Sequence, residues 1–238
     1  MSEDDVVGEK LMTALSSAAQ HLTGSRTGSE EETLALIVAG AIQTVPGVEH
    51  AGVSLLRADG SIVSYTPSAE AVAEVDQLQS TYREGPCVTA LWDEHTVIVD
   101  DLVNETDRWP RFAPAAAAHG IGSMLSFQLF ARENTLGALN LYSTEPHGFT
   151  ADSQALGSLF AAHAAMALGE SQHVAQLQQA LTSRDVIGQA KGILMERFGL
   201  DAKEAFAMLV RSSQETNMKL VDVAGWLANG TGDRLQRD

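Results

Sequence analysis

The chain has 238 residues, with 15 basic and 31 acidic side chains, and its formal net charge is −16. Hydrophobic residues make up 45% of it, which supports a sizeable core and excludes wholesale disorder. A single cysteine excludes an intramolecular disulfide framework, and no apolar run approaches the roughly 20 residues that span a bilayer. The first residues resemble no signal peptide, so we expect a cytoplasmic protein that is not inserted in a membrane.

The charge is distributed unevenly along the chain. Residues 1–170 carry 7 basic and 23 acidic side chains, whereas residues 171–238 carry 8 of each. This break predicts two modules. The acidic module repels nucleic acid, so any contact with phosphates has to come from a local face of the neutral module.

The N-terminal region predicts two helices. Apolar side chains recur at helical spacing over residues 6–22, and a linker rich in Gly, Ser and Thr follows to residue 29. Ser29 precedes three glutamates, which suit the positive end of a helix. We predict an N-terminal helix and linker over 1–29 and a second helix from residue 30.

Strand-like runs then alternate with short helical patterns. The predicted strands are 51–57, 61–66, 97–100, 123–131 and 135–143, and the predicted helices are 68–82 and the second half of 108–119. Asp59 and Gly60, between the first two strands, are a hairpin signal. The layout predicts an α+β domain in which helices flank an antiparallel sheet.

From residue 150 onward the pattern is helical throughout. Thr150 is a candidate cap, and no proline interrupts residues 151–198. Val174, Leu177 and Leu181 repeat at spacings of three and four, as in a short coiled coil. We therefore expect residues 169–182 to be a connecting helix through which two copies of the chain pair.

The end of the chain predicts a small helical bundle. Gly199 is placed to end the long helix, and Asp201 with Glu204 makes a capping-box start for the next one. Asn217 is placed to cap a last helix. We expect a three-helix bundle over 183–230 and a flexible tail over 231–238.

Enzyme signatures are absent from the sequence. It contains no H-E-x-x-H, no G-x-S-x-G and no Walker loop, and its histidines lack the spacing of metal ligands. Cys87 would need a base such as His95 or His119 to act as a nucleophile, and a free cysteine is more often a small buried hydrophobe. We expect no catalytic residue and no metal site.

Residues 30–168 resemble a GAF domain of the type common in actinobacterial regulators. The segments that carry the resemblance are Glu84 to Cys87, Asp101-Leu102, Arg108 to Phe112, Gly120 to Leu125 and Leu136 to Ser143. Such domains have a central antiparallel sheet, and many bind a small ligand beside it. The resemblance leaves the ligand unnamed. The side chains that could line a pocket are Cys87, Trp92, Trp109, Phe112, His119 and Tyr142.

Residues 172–230 resemble an ANTAR domain, an RNA-binding antitermination module. The resemblance is carried by Ser183 to Met195, Ala205-Phe206, Leu209, Ser212 to Gln214, Asn217, Lys219-Leu220 and Asp222 to Ala224. The family implies a three-helix fold that binds paired RNA hairpins with short loops, usually as a dimer. The fold class that we expect is therefore an α+β GAF domain, a long connecting helix and an all-α ANTAR bundle.

The neutral module offers side chains for RNA. Arg184 and Lys191 are seven residues apart and share a helix face. Arginine planes, amides and hydroxyls can contact the unstacked bases and phosphates of RNA loops. The RNA-binding residues that we predict are Arg184, Lys191, Arg197, Arg211, Ser212, Gln214, Asn217 and Lys219. Trp226 lies near the apolar stripe of the last helix, which favours packing over base stacking.

The two resemblances together imply a signal-responsive, RNA-binding transcription antiterminator that is not an enzyme. A small-molecule effector or another cue would act on the GAF domain and control binding of leader RNA hairpins. The first alternative is a DNA-binding helix-turn-helix regulator, although residues 217–228 carry only one basic side chain, Lys219. The second is a Cys-dependent enzyme of the GAF fold, although Cys87 has no resolving partner.

Overall fold

The structure is a computed structural model, and it describes residues 29–131 and 134–235. The predicted helix over 6–22 and the last three residues lie outside these ranges. The chain divides into two compact units, residues 1–173 and residues 174–238. Within the described ranges, no helix is both long and apolar enough to cross a bilayer.

Helices and strands follow one another much as the hydrophobic pattern indicates. The helices are α1 (Glu30–Thr44), α2 (Glu70–Tyr82), α3 (Pro86–Trp92), α4 (Phe112–Ala118), α5 (Ala151–Phe198), α6 (Ala202–Thr216) and α7 (Leu220–Leu235). The strands are β1 (His50–Leu56), β2 (Ile62–Tyr65), β3 (Thr96–Val99), β4 (Ser123–Ala131) and β5 (Asn134–Ser143).

The five strands form one sheet in the order β2-β1-β5-β4-β3, and every neighbouring pair is antiparallel. The two predicted hairpins, β1–β2 and β4–β5, are both present. The structure therefore confirms the predicted fold class: an antiparallel sheet with helices, a long helix and a helical C-terminal region.

One face of the sheet is apolar. Alternate residues of the central strands, such as Val53, Phe127 and Leu139, pack against α1 and the first part of α5 in one buried cluster. Because side chains on a strand alternate between faces, the residues between them point the other way. That second face packs against α2, α3 and α4, and it carries buried polar side chains at Ser54, Ser126 and Asn140 among its apolar ones.

The second unit has its own small core. Ala190 and Leu194 of α5, Ala205 and Leu209 of α6, and Val223 and Ala224 of α7 form its buried cluster. The predicted end of α5 and the predicted start of α6 are both confirmed. Gly199 follows α5 with φ +67°, and Asp201 accepts hydrogen bonds from the Lys203 and Glu204 amides at the start of α6.

Three local predictions differ from the structure. The sequence pattern missed α3, a seven-residue helix that starts at Pro86. Asn217 does not cap α7; it ends α6 in the left-handed conformation, with φ 52°. Helix α7 continues to Leu235 and so includes the first five residues, 231–235, of the predicted tail.

Gly157 lets α5 approach the sheet closely. A Cβ at this position would lie 2.7 Å from the Phe127 ring, whereas one at Gly188 would have nothing within 4 Å. Alanine should therefore lower the free energy of unfolding by about 1–2 kcal/mol at Gly157, because overpacking outweighs helix propensity, and raise it by about 1 kcal/mol at Gly188. Urea denaturation of the two variants checks this, and a stabilised Gly157→Ala protein would contradict the close packing.

Candidate functional site

A buried carboxyl is the centre of the polar face of the sheet. Asp76, on α2, is 2% exposed. Its Oδ2 accepts a hydrogen bond from the Ser64 hydroxyl at 2.6 Å, and its Oδ1 accepts one from the Asn140 amide at 3.1 Å. The Tyr142 hydroxyl also donates to Oδ1, and the Gln79 amide does so at 3.4 Å. Four donors thus converge on one carboxyl.

The network continues across the central strands. The Asn140 amide nitrogen also donates to the Ser54 hydroxyl at 3.2 Å, and the Ser126 hydroxyl donates to Asn140 Oδ1 at 2.9 Å. These three side chains are buried and come from β5, β1 and β4. Fully paired buried networks of this kind hold their members in one geometry. We call Ser54, Ser64, Asp76, Gln79, Ser126, Asn140 and Tyr142 the Asp76 network.

Burial shifts the titration of this network. It raises the pKa of the Asp76 carboxyl, against the hydrogen bonds that favour its charged form. Burial and the nearby Asp76 carboxyl raise the pKa of the Tyr142 phenol well above its ordinary value. Tyr142 therefore keeps its proton at neutral pH and acts as a donor to Asp76.

A strained turn joins the Asp76 network to α3. Gln79 Oε1 accepts a hydrogen bond from the Cys87 amide at 2.8 Å. Gly85, between them, has φ +117°, and a Cβ there would lie 2.6 Å from Gln79 Oε1. Only glycine fits both the backbone conformation and the space, which explains the glycine in the Glu84-to-Cys87 segment.

Glu84 links the turn at Gly85 to the start of α4 through hydrogen bonds. Its carboxylate accepts hydrogen bonds from the Arg111 amide at 2.9 Å and the Phe112 amide at 3.2 Å, at the start of that helix. The Arg111 side chain also donates to it at 2.7 Å. Burial raises the pKa of Glu84, but the hydrogen bonds and charge of Arg111 outweigh this and lower it. Two of the segments that carry the GAF resemblance, Glu84 to Cys87 and Arg108 to Phe112, are thus in direct contact.

The structure brings together some of the predicted pocket residues and separates others. Cys87 and Tyr142 are both buried next to Asp76. Trp109 is buried in the same cluster as Tyr142. In contrast, Trp92 is 59% exposed at the end of α3, and His119 is exposed and pairs with Glu74 at 2.9 Å. These two side chains lie at the surface, away from the buried network.

Asp76, Gln79 and Asn140 are not among the site residues predicted from the sequence. The signal was present, because Asp76 and Gln79 continue the helical spacing of the buried Val72 and Val75. A carboxyl and an amide in the apolar stripe of a short helix have to find buried partners. Asn140 likewise interrupts an apolar strand. Within the described ranges, no three side chains of the metal-ligating types come together.

Cys87 is placed as a packing residue. It lies in a buried cluster with Leu91 and Ala138, and burial raises the pKa of its thiol to about 12, with the Asp76 carboxyl adding to the shift. Neither proposed base is beside it, since His95 contacts Gln128 and His119 contacts Glu74. The thiol is therefore protonated at neutral pH, which favours the structural interpretation over the nucleophilic one.

We expect the folded protein to resist thiol reagents. At pH 8, Cys87 should react with a disulfide reagent such as DTNB at least about 100-fold more slowly than a free thiol, whose pKa is about 8.5. Denaturant should release full reactivity, since unfolding removes both the burial of the thiol and its proximity to the Asp76 carboxyl. Rapid labelling of the folded chain would contradict this placement and revive the Cys-dependent enzyme.

In the second unit, the predicted RNA-binding residues lie on α5, on α6 and in the turn between α6 and α7. Arg184 is exposed and Lys191 is half-buried, and they lie two turns apart on one face of α5. No ion pair within the described ranges joins either of them to a carboxylate. Arg197 is exposed in the last turn of α5, on a different side of the helix. The first two cations are therefore available to a polyanion.

The other five predicted residues belong to α6 and the turn after it. Arg211 and Gln214 are exposed on the outer side of α6, and Asn217 and Lys219 are exposed in the turn that leads to α7. Ser212 is half-buried, and its carbonyl accepts a hydrogen bond from Thr216. Four of these five side chains can thus reach a bound molecule, and Ser212 lies closer to the core.

The prediction that Trp226 packs in the bundle is wrong. Its side chain is 78% exposed. The core of the second unit uses Val223 and Ala224 of α7, with Leu220 and Leu227 packed against it. Trp226 lies about 100° or more from each of these two flanking leucines around the helix, so it points outward.

The predicted pairing segment of α5 is exposed from residue 174 to residue 182, whereas Ser171 before it is buried and Gln172 half-buried. All side chains from 174 to 182 are exposed, including Val174 at 39%, Leu177 at 53% and Leu181 at 61%. These three side chains share one side of the helix, because their spacings of three and four residues match its turn. Among the described residues, this apolar stripe on residues 174–182 is therefore not covered by any other part of the chain.

Solved structures resemble the chain at low identity. The GAF domain from a phosphoenolpyruvate-protein phosphotransferase of Coxiella burnetii aligns with 70% of this chain and 98% of its own, at 16% identity and a TM-score of 0.53. The free methionine-R-sulfoxide reductase of Neisseria meningitidis, solved with its substrate, aligns with 69% of this chain and 93% of its own, at 15% identity and a TM-score of 0.52. A bacteriophytochrome of R. palustris aligns with 82% of this chain and 45% of its own, at 11% identity and a TM-score of 0.54. At such identities the likeness shows the fold alone.

Family models identify both units. No curated protein matches the chain. Residues 27–169 match the GAF domain model, and residues 175–227 match the ANTAR domain model. The two matched ranges divide the chain where its two compact units divide. The chain therefore belongs to the GAF domain family and carries an ANTAR domain after it, which is the architecture of a signal-responsive regulator.

Proposed function

We propose that this protein is a cytoplasmic, signal-responsive transcription antiterminator that binds paired hairpins in leader RNA. The ANTAR unit would hold the hairpins, and the GAF unit would control this binding in response to a small molecule or another cue. By holding the paired hairpins, the protein would keep a terminator from forming, and transcription would continue. The chemistry is recognition, without a catalytic step.

One observation carries the RNA-binding part of the proposal. Within the second unit, Arg184 and Lys191 are cations on one helix face that no carboxylate of the described chain neutralises. The whole chain is strongly acidic, so a polyanion can be attracted only at such a local face. Exposed amides at Gln214 and Asn217 add groups that can contact the bases of a loop.

The Asp76 network supports the sensing part. It places hydroxyl, amide and carboxyl groups between the polar face of the sheet and α2. Strained backbone at Arg83 and Gly85 separates these two helices. A polar small molecule that replaced one of the internal hydrogen bonds would alter how α2 and α3 sit on the sheet. We infer that the cue acts at this face, with Cys87 and Tyr142 in its lining.

We also propose that two copies of the chain pair along α5. Apolar side chains at heptad-like spacing on an exposed stretch of helix favour self-association, since burying them stabilises both copies. The stripe of Val174, Leu177 and Leu181 would form this seam. A dimer would present two ANTAR units, one for each hairpin of a pair.

Charge placed in the seam tests the pairing. Replacing Leu177 and Leu181 by glutamate should turn the dimer into a monomer, because the seam would then bury like charges. The matched control replaces Gln176 and Gln179 by glutamate. These two residues lie on the opposite side of the same exposed stretch of α5, residues 174–182. Sedimentation velocity distinguishes the two variants. A wild-type chain that is monomeric at micromolar concentration would contradict the proposal.

A titration tests the RNA-binding proposal. A radiolabelled RNA with two short-loop hairpins is compared with an RNA of changed loop sequence and with duplex DNA of the same sequence, at several salt concentrations. The proposal predicts loop-dependent binding of the RNA, with an affinity that falls as salt rises. Preference for the duplex would instead favour a DNA-binding regulator.

A further inference from the structure

We propose that Trp226 is a stacking platform for an unpaired RNA base. It is 78% exposed, more than any other large apolar side chain in the described part of the chain. Aromatic rings stack on bases that are unstacked in loops, and every base has a face for such stacking. The inference rests on the proposed RNA-binding function and assigns it a contact residue outside the basic face.

The side chains around Trp226 suit the binding of one nucleobase on its ring. One turn before it on the same side of α7 is Asp222, and one turn after it is Asn229, and both side chains are exposed. Their oxygen and amide groups can pair with the polar edge of a stacked base. A protein partner would instead need a wider apolar patch, and the ring is bordered here by a carboxylate and an amide.

A cation completes the arrangement. Lys219 is exposed at the start of α7, two turns before Trp226, which is about 10 Å along the helix axis. No ion pair within the described ranges involves it. A nucleotide stacked on Trp226 would thus have a positive charge within reach of its neighbouring phosphates, although the bundle as a whole is not basic.

The affinity of full-length variants for the two-hairpin RNA tests this assignment. Trp226→Ala should weaken binding by roughly tenfold or more, and Trp226→Phe should stay within about threefold of wild type, since Phe keeps a stacking ring. Neither variant should change the salt dependence, because no charge is removed. RNA should quench tryptophan emission in the wild-type chain and should do so much less in Trp226→Phe. Phe130→Ala, at an exposed aromatic of the first unit, is the control and should bind as wild type does.

The outcomes separate this inference from the proposed function. RNA binding by the wild-type chain with unchanged affinity in Trp226→Ala would overturn the stacking role alone. No RNA binding by the wild-type chain would overturn both. Weaker binding that came with dissociation of the dimer, or with a lower unfolding midpoint, would assign Trp226 to a structural contact and would also overturn the stacking role.

Discussion

Replacing Arg184 and Lys191 together by alanine should weaken binding of the two-hairpin RNA by roughly 100-fold, because each hydrogen bond to a charged group contributes about 1.5–3 kcal/mol. The slope of log K against log salt should fall by about one for each phosphate contact that is lost. The variant should fold normally, since Arg184 is exposed and Lys191 only half-buried. Filter binding at three or more salt concentrations measures both quantities.

A charge-matched control separates a local face from bulk charge. Lys203→Ala with Arg57→Ala also removes two exposed positive charges, one from each unit, but none from the face of Arg184 and Lys191. This control should bind RNA within about threefold of wild type, since it leaves both cations of that face in place. If the Arg184 and Lys191 variant is folded and binds as tightly as wild type, the basic-face assignment is wrong.

The second large effect concerns stability. Asp76→Ala should lower the free energy of unfolding by about 3–5 kcal/mol, because it leaves buried donors unpaired and opens a cavity. Such a loss is a large part of the about 5–15 kcal/mol that holds a typical domain together. Asp76→Asn should cost much less, since the amide oxygen keeps one set of hydrogen bonds and the Ser64 hydroxyl can accept from the new amide nitrogen. Urea denaturation of both variants checks this order.

The pH dependence of the stability of wild type, compared with that of Asp76→Asn, reports on the titration of Asp76. Burial raises its pKa in the folded state above the ordinary value of 3.8, so the folded chain binds this proton more tightly than the unfolded chain does. Wild type should therefore gain stability relative to Asp76→Asn as the pH falls from neutral toward 4. A constant difference between the two proteins over this range would mean that the carboxyl is not shifted upward.

Much of the fold follows from local sequence signals. Strand-like runs separated by short turns located both hairpins, and capping residues located the starts of α1 and α6, at Ser29 and Asp201. Helix α3 was missed because its seven residues give two turns at most, too few for a periodic pattern, and because its glycine and proline indicate a turn. Asn217 was assigned to the wrong helix because asparagine suits both a helix start and a left-handed helix end.

The candidate sites were less predictable, because they depend on contacts between distant parts of the chain. Asp76 and Tyr142 are 66 residues apart, and their pairing exists only once α2 lies on β5. Trp226 was expected to pack, since the sequence places it beside apolar residues. Its true direction depends on which side of α7 faces the other two helices. A local pattern shows that a helix has a buried side. It does not show whether a residue at the edge of that side, such as Trp226, is buried or exposed.

Single-round transcription is the most direct test of the central claim. The template carries a promoter, a leader that forms the two bound hairpins, and an overlapping terminator. We expect the wild-type protein to raise the fraction of transcripts that read through the terminator, and the Arg184 and Lys191 double variant not to do so. If the wild-type chain binds the leader RNA but leaves termination unchanged on this template, the antitermination mechanism is wrong.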